Sequence, residues 1–185
     1  HPGGLLYRFT PSAYPSLDEG LLEACVVAGD GGVTWREVPD PSGAERRTRE
    51  QCDGATVFPG GEGAWYHDGV VVFTTKFDNV VHALHVADQR HEVVYRADAA
   101  GPAGPPPVLT GVDNITVDAG SGDRYVAEDG GNMEIVLITP DGTAGDAASE
   151  RDDHEAAPTT RAAPGTDPAL VLLGEFPDAD ALREH

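Results

Sequence analysis

The residues best suited to chemistry in this chain are oxygen donors that recur beside glycine turns. Glu62 stands between glycines in GGEGAW, Asp113-Asn114 opens DNITV, and Glu128-Asp129 closes RYVAED ahead of Gly130-Gly131-Asn132. Carboxylates gathered at one place repel one another. A hard cation such as Ca²⁺ removes that repulsion and takes carboxylate and carboxamide oxygens as ligands. Glu62, Asp113, Asn114, Glu128 and Asp129 are therefore the candidate metal ligands. Asp129 and the residues after it also read as a turn capped by its own carboxylate. The single lysine, Lys76, follows Thr75 at the place where the later segment carries Glu128-Asp129. It is either a contact to an anionic substrate or a surface charge. No residue is assigned a catalytic role.

Other chemistries find no support. Cys25 and Cys52 form no CxxC pair. Cys25 lies in the apolar run LLEACVV and reads as a buried free thiol; a disulfide between the two is left open. The seven histidines show no HExxH spacing. His82 and His85, three apart on a strand, point to opposite faces. There is no glycine-rich phosphate loop and no nucleophile elbow. Trp35, Trp65, Phe58, Phe73 and Tyr125 read as core rather than as platforms for a ligand.

The elements that must position these residues are short strands. Twenty-three glycines and fifteen prolines punctuate brief apolar runs, which points to a turn-rich all-β chain. Residues 4–10, the run LLEACVVAG, and Val33–Asp40 read as strands, and 41–53 as a helical turn or surface loop. Residues 55–66 are strand-like, HDG is a tight-turn signal, and GVVVFTTK, VVHALHV and HEVVYRA follow as strands. AAGPAGPPP is a stiff linker. DNITVDA, RYVAED and MEIVLIT then repeat the pattern.

The second group of strands lies over the first. Gly69–Asn79 aligns with Gly122–Asn132, and Glu62-Gly63-Ala64-Trp65 with Asp113-Asn114-Ile115-Thr116. Four strands per repeat of this length is the signature of β-propeller blades. In a blade the start of the first strand and the end of the second share one rim, so the acids are expected at one mouth of the central channel. Residues 1–142 are thus read as a partial propeller of about two and a half blades. Residues 143–185, rich in Ala, Pro and acids, are read as a low-complexity disordered tail. Within that tail the apolar run near Leu170 is expected to pack weakly or to form a short helix.

Thirty-two acids against twelve bases give a net charge of −20. Such a chain is repelled by nucleic acid and by anionic membrane. No run is long enough to span a bilayer. The first residues read as a strand in progress, so the chain is expected to be a piece of a longer protein.

The segments GATVFPGGEGAWYHDGVVVFTTKFDNVVHAL and LTGVDNITVDAGSGDRYVAEDGGNMEIVLITPDG resemble the PhoX family, DUF839-type secreted proteins related to the PhoX alkaline phosphatases. The likeness covers roughly residues 3–142. It implies a six-bladed propeller, a monomer, hydrolysis of a small phosphate ester, a mixed calcium and iron centre on the propeller axis, and export by the twin-arginine route to the periplasm or beyond. It implies metal-holding roles for Glu62 and Glu128, with Asp113, Asn114 and Asp129 in the surrounding motif. Cys25 matches no iron-binding motif of the family. Two further readings stand beside the hydrolase: a non-catalytic, calcium-stabilised binding propeller, and a lactonase-type propeller hydrolase.

Overall fold

A computed structural model of the chain describes residues 1–99, 101, 104, 106–130, 133–141, 144–146 and 170–173. Among them the chain is all-β, with a single 3₁₀ turn at Thr48–Glu50 and three four-stranded antiparallel sheets. The strands are β1 (Leu6–Pro11), β2 (Gly20–Val27), β3 (Val33–Glu37), β4 (Gly61–His67), β5 (Val70–Thr75), β6 (Val80–His85), β7 (Arg90–Arg96), β8 (Val112–Val117), β9 (Arg124–Glu128), β10 (Ile135–Ile138), β11 (Ala144–Asp146) and β12 (Leu170–Leu173). The sheets run β12-β1-β2-β3, β4-β5-β6-β7 and β11-β10-β9-β8.

The chain divides into two compact units. The first contains His1–Gly61, Gln89–His91 and β12. Its core gathers Leu5, Tyr7, Leu22, Ala24, Val38 and Cys52. Cys25 is buried and free, as expected, and Cys52 is also free. The residues from 55 to 60, read as part of a strand, form no ladder: they make the isolated bridge Leu5↔Val57 and single backbone hydrogen bonds to His1, Gly4 and Cys25. Pro59 supplies no amide, and the glycine pair after it favours a turn over a ladder.

The second unit contains Glu62–Asp88 and the described residues from 92 to 146. It holds two sheets of matching order, each built from consecutive strands. β5 and β6, the middle strands, are buried along nearly their whole length. That explains why VVVFTT and VVHALH are almost continuously apolar. Val72, Val81 and Ala83 meet Val112, Ile115, Val117, Val126 and Val136 in one core. The Asp68-Gly69 turn is the two-residue hairpin anticipated from HDG. Both residues have positive φ, 44° and 81°, as a type I′ turn requires.

Three expectations change. Trp65 is 46% exposed rather than core, because it lies on β4 at the sheet edge. The apolar run at Leu170–Leu173 is a strand paired antiparallel to β1, not a helix. Short runs of branched residues gain more from completing a ladder than from one helical turn. Ala144–Asp146, within the stretch read as a disordered tail, is likewise a strand, paired antiparallel to β10; the rest of 143–185 lies outside the described residues, as do Gly131, Asn132 and parts of the 99–107 linker.

Candidate functional site

Four positions, equivalent in the two sheets of the second unit, meet at one rim. Glu62 and Asp113 are the second residues of β4 and β8. Lys76 and Asp129 directly follow β5 and β9. The antiparallel pairing places the start of the first strand beside the end of the second.

Backbone contact brings the two sheets together here. A Cβ on Gly63 would stand 2.6 Å from Asn114 Oδ1 and 2.6 Å from the Ile115 amide nitrogen, so only glycine allows β4 to lie so close to β8. The buried Thr74 hydroxyl accepts from the Gly63 amide at 3.0 Å and donates to the Asp113 carbonyl at 2.5 Å. Asn79, at φ 51°, adds a second link. Its Oδ1 accepts from the amides of Gly111 at 2.5 Å and Val112 at 3.3 Å. The pairing of β8 with β9 slips by one residue between Val112 and Ile115. Asp113 and Asn114 therefore sit in a bulge, a device that re-aims side chains.

At this rim the Lys76 ammonium donates to the Asp129 carboxylate and forms an ion pair with it. Lys76 is held above its ordinary basicity first by that hydrogen bond, and further by the negative charges of Asp129, Asp113 and Glu62. Three of the acids read from the sequence thus gather around the one lysine.

Glu128 does something different. Its side chain is turned inward, only 6% exposed. Oε1 accepts from the Thr110 amide at 2.6 Å and the Thr110 hydroxyl at 3.5 Å, and Oε2 from the Glu134 amide at 3.4 Å. The equivalent residue of the first sheet, Thr75, is also buried. Its hydroxyl donates to Asp78 Oδ1 at 2.6 Å and lies 2.9 Å from His82 Nε2. Each second strand therefore ends in the same pair of roles: an inward polar residue that fastens the following loop, then a charged residue at the rim. The alternation of strand side chains makes the two point apart.

Asn114 faces away from Lys76. It lines an open groove of 490 Å³ with Trp65, Tyr125 and Ile135, and its Oδ1 accepts from the Ile115 amide at 2.9 Å. A larger cleft of 710 Å³ lies between the β4–β5 and β8–β9 turns, lined by His67, Val72, Val117, Ser121 and Arg124.

The calcium and iron implied by the resemblance do not fit these residues as placed. Ca²⁺ takes about six to eight oxygens. Here Glu128 is committed to backbone amides and Asp129 to Lys76. Among the described residues no group of three or more His, Cys, Asp or Glu is arranged to hold a metal. Nor is any buried side-chain polar atom among them left without a partner.

Lys76 as the centre of the rim, the Gly63 contact and the Thr74 and Asn79 links were not foreseen. Lys76 carried one signal: it is the only lysine, at the position where the repeat has an acid. Compared with protein-family models, with curated proteins and with solved structures, the chain matches none.

Proposed function

We propose that this chain supplies β-propeller blades of the PhoX type to a protein whose activity is phosphoric ester hydrolysis. One observation carries the reading. Positions related by the internal repeat, Glu62 with Asp113 and Lys76 with Asp129, lie together at one rim of two sheets whose first strands touch. First strands in close contact and matching strand order are what successive blades about an axis require. A short-lived phosphoryl transition state would be stabilised there by cationic groups and hydrogen-bond donors. The rim itself carries three carboxylates and one ammonium, so it repels a phosphate ester, and the metals of such a centre are not assigned to the described residues.

The commitments of Glu128 and Asp129 favour a second reading for this stretch, a non-catalytic propeller module. Hydrolysis of a chromogenic phosphate monoester by the purified protein, supplied with Ca²⁺ and Fe³⁺, separates the two. Turnover that chelation abolishes and Ca²⁺ restores supports the hydrolase. Turnover indifferent to chelation, or none under any metal supply, removes the metal-dependent hydrolase. The complete lack of turnover leaves the module. A lactone assay on the same preparation tests the lactonase alternative.

A further inference from the structure

We infer that Lys76 is the built-in counter-cation of the acidic rim and stands in this chain where a bound metal ion was expected. The carboxylates of Glu62, Asp113 and Asp129 come from β4, from β8 and from the residue after β9. The backbones that carry Glu62 and Asp113 are held together by glycine against backbone at Gly63 and by the Thr74 hydroxyl between β4 and β8, and Asp129 joins them through its bond to Lys76. Three like charges on one rim repel one another, and a positive charge among them relieves that repulsion. The ammonium of Lys76 is already there, partly buried and paired with Asp129.

The internal repeat sharpens the point. Lys76 and Asp129 occupy the same place in their sheets, one cationic and one anionic. Had both been acids, the rim would have held four carboxylates and required an ion from solution. With lysine in one sheet, Lys76 and Asp129 cancel each other, leaving Glu62 and Asp113, and the ion pair ties the end of β5 to the end of β9. The lysine tether also competes with any cation for Asp129. Lys76 therefore cancels one of the rim's three negative charges without metal.

The inference stands on the ion pair and does not need the hydrolase reading, since turnover plays no part in its readout. The test compares thermal melting of the wild-type chain, Lys76→Met and Lys76→Met/Asp129→Asn, at low ionic strength, with chelator and with millimolar Ca²⁺. Wild type is expected to melt at the same temperature with chelator and with Ca²⁺ once ionic strength is matched with NaCl. Lys76→Met is expected to melt a few degrees lower, to recover with added NaCl as repulsion is screened, and to recover with Ca²⁺. Removing Asp129's charge in the double variant should return part of the loss. A wild-type Tm that rises with Ca²⁺ beyond the rise given by NaCl of the same ionic strength overturns the inference, and so does a Lys76→Met variant that melts like wild type at low salt. Should Lys76→Met fail to fold, the wild-type chelator comparison still decides.

Discussion

Individual side chains here are assigned by where their polar atoms end up. Glu128 is the clearest case. A buried amide deprived of its acceptor costs about 1–3 kcal/mol, and Glu128 is the acceptor for Thr110 and Glu134. Glu128→Ala should therefore lower the unfolding free energy by about that amount in a denaturant titration, whereas Glu128→Gln, which keeps one carbonyl oxygen, should lose less. A loss that chelator reproduces in wild type would return Glu128 to the metal ligands. Cys25 makes a second prediction. With its thiol pushed up to about 12 and buried in β2, it should resist alkylation at pH 8 in the native state and react at once in denaturant. Fast labelling without denaturant would show that β2 opens locally.

Elements here depend on a few backbone requirements more than on strand propensity. Gly63 is one. Alanine there would drive its Cβ into Asn114 and Ile115, and overpacking against backbone costs about 1–3 kcal/mol. Gly63→Ala should lower the Tm clearly, while an alanine at Gly29, which meets no neighbour, should not. The β8–β9 turn rests on Asp118, whose carboxylate accepts from the amides of Gly120 and Ser121 and from the Ser121 hydroxyl. Those bonds, the Ser121 amide first, hold its carboxyl below the ordinary 3.8. A depressed native value means the stabilisation is present above pH 3.8 and is lost as pH falls through the lower native value. The Tm difference between wild type and Asp118→Ala should therefore be seen at neutral pH and shrink in acid. A difference that stays constant down to pH 2 would place the effect elsewhere.

For the molecule as a whole, charge sets the conditions of stability. A net charge of −20 means self-repulsion in the compact state. Added NaCl should raise the Tm of the wild-type chain, and an unchanged or falling Tm would mean that local ion pairs such as Arg8–Glu23 outweigh the global term. Much of the architecture was legible from residue order. The period-two and continuous apolar runs mark β1 through β10, because a strand's burial pattern is local and written in consecutive residues. Asp68-Gly69 marks its own turn for the same reason. The repeat also placed Glu62, Asp113 and Asp129 at one rim, since equivalent positions in successive sheets face the same end. Other features depend on partners distant in the chain, and no local pattern reveals them. Leu170–Leu173 becomes a strand because β1 offers an open edge more than 150 residues earlier. Glu128 turns inward because Thr110 and Glu134 present amides to it, and Asp113 is aimed by a bulge one residue long. Residue order alone specified an all-β chain with an internal repeat and acids at one rim. That Lys76 pairs with Asp129 there became visible only in the folded chain, because a charge finds its partner through space and not along the chain.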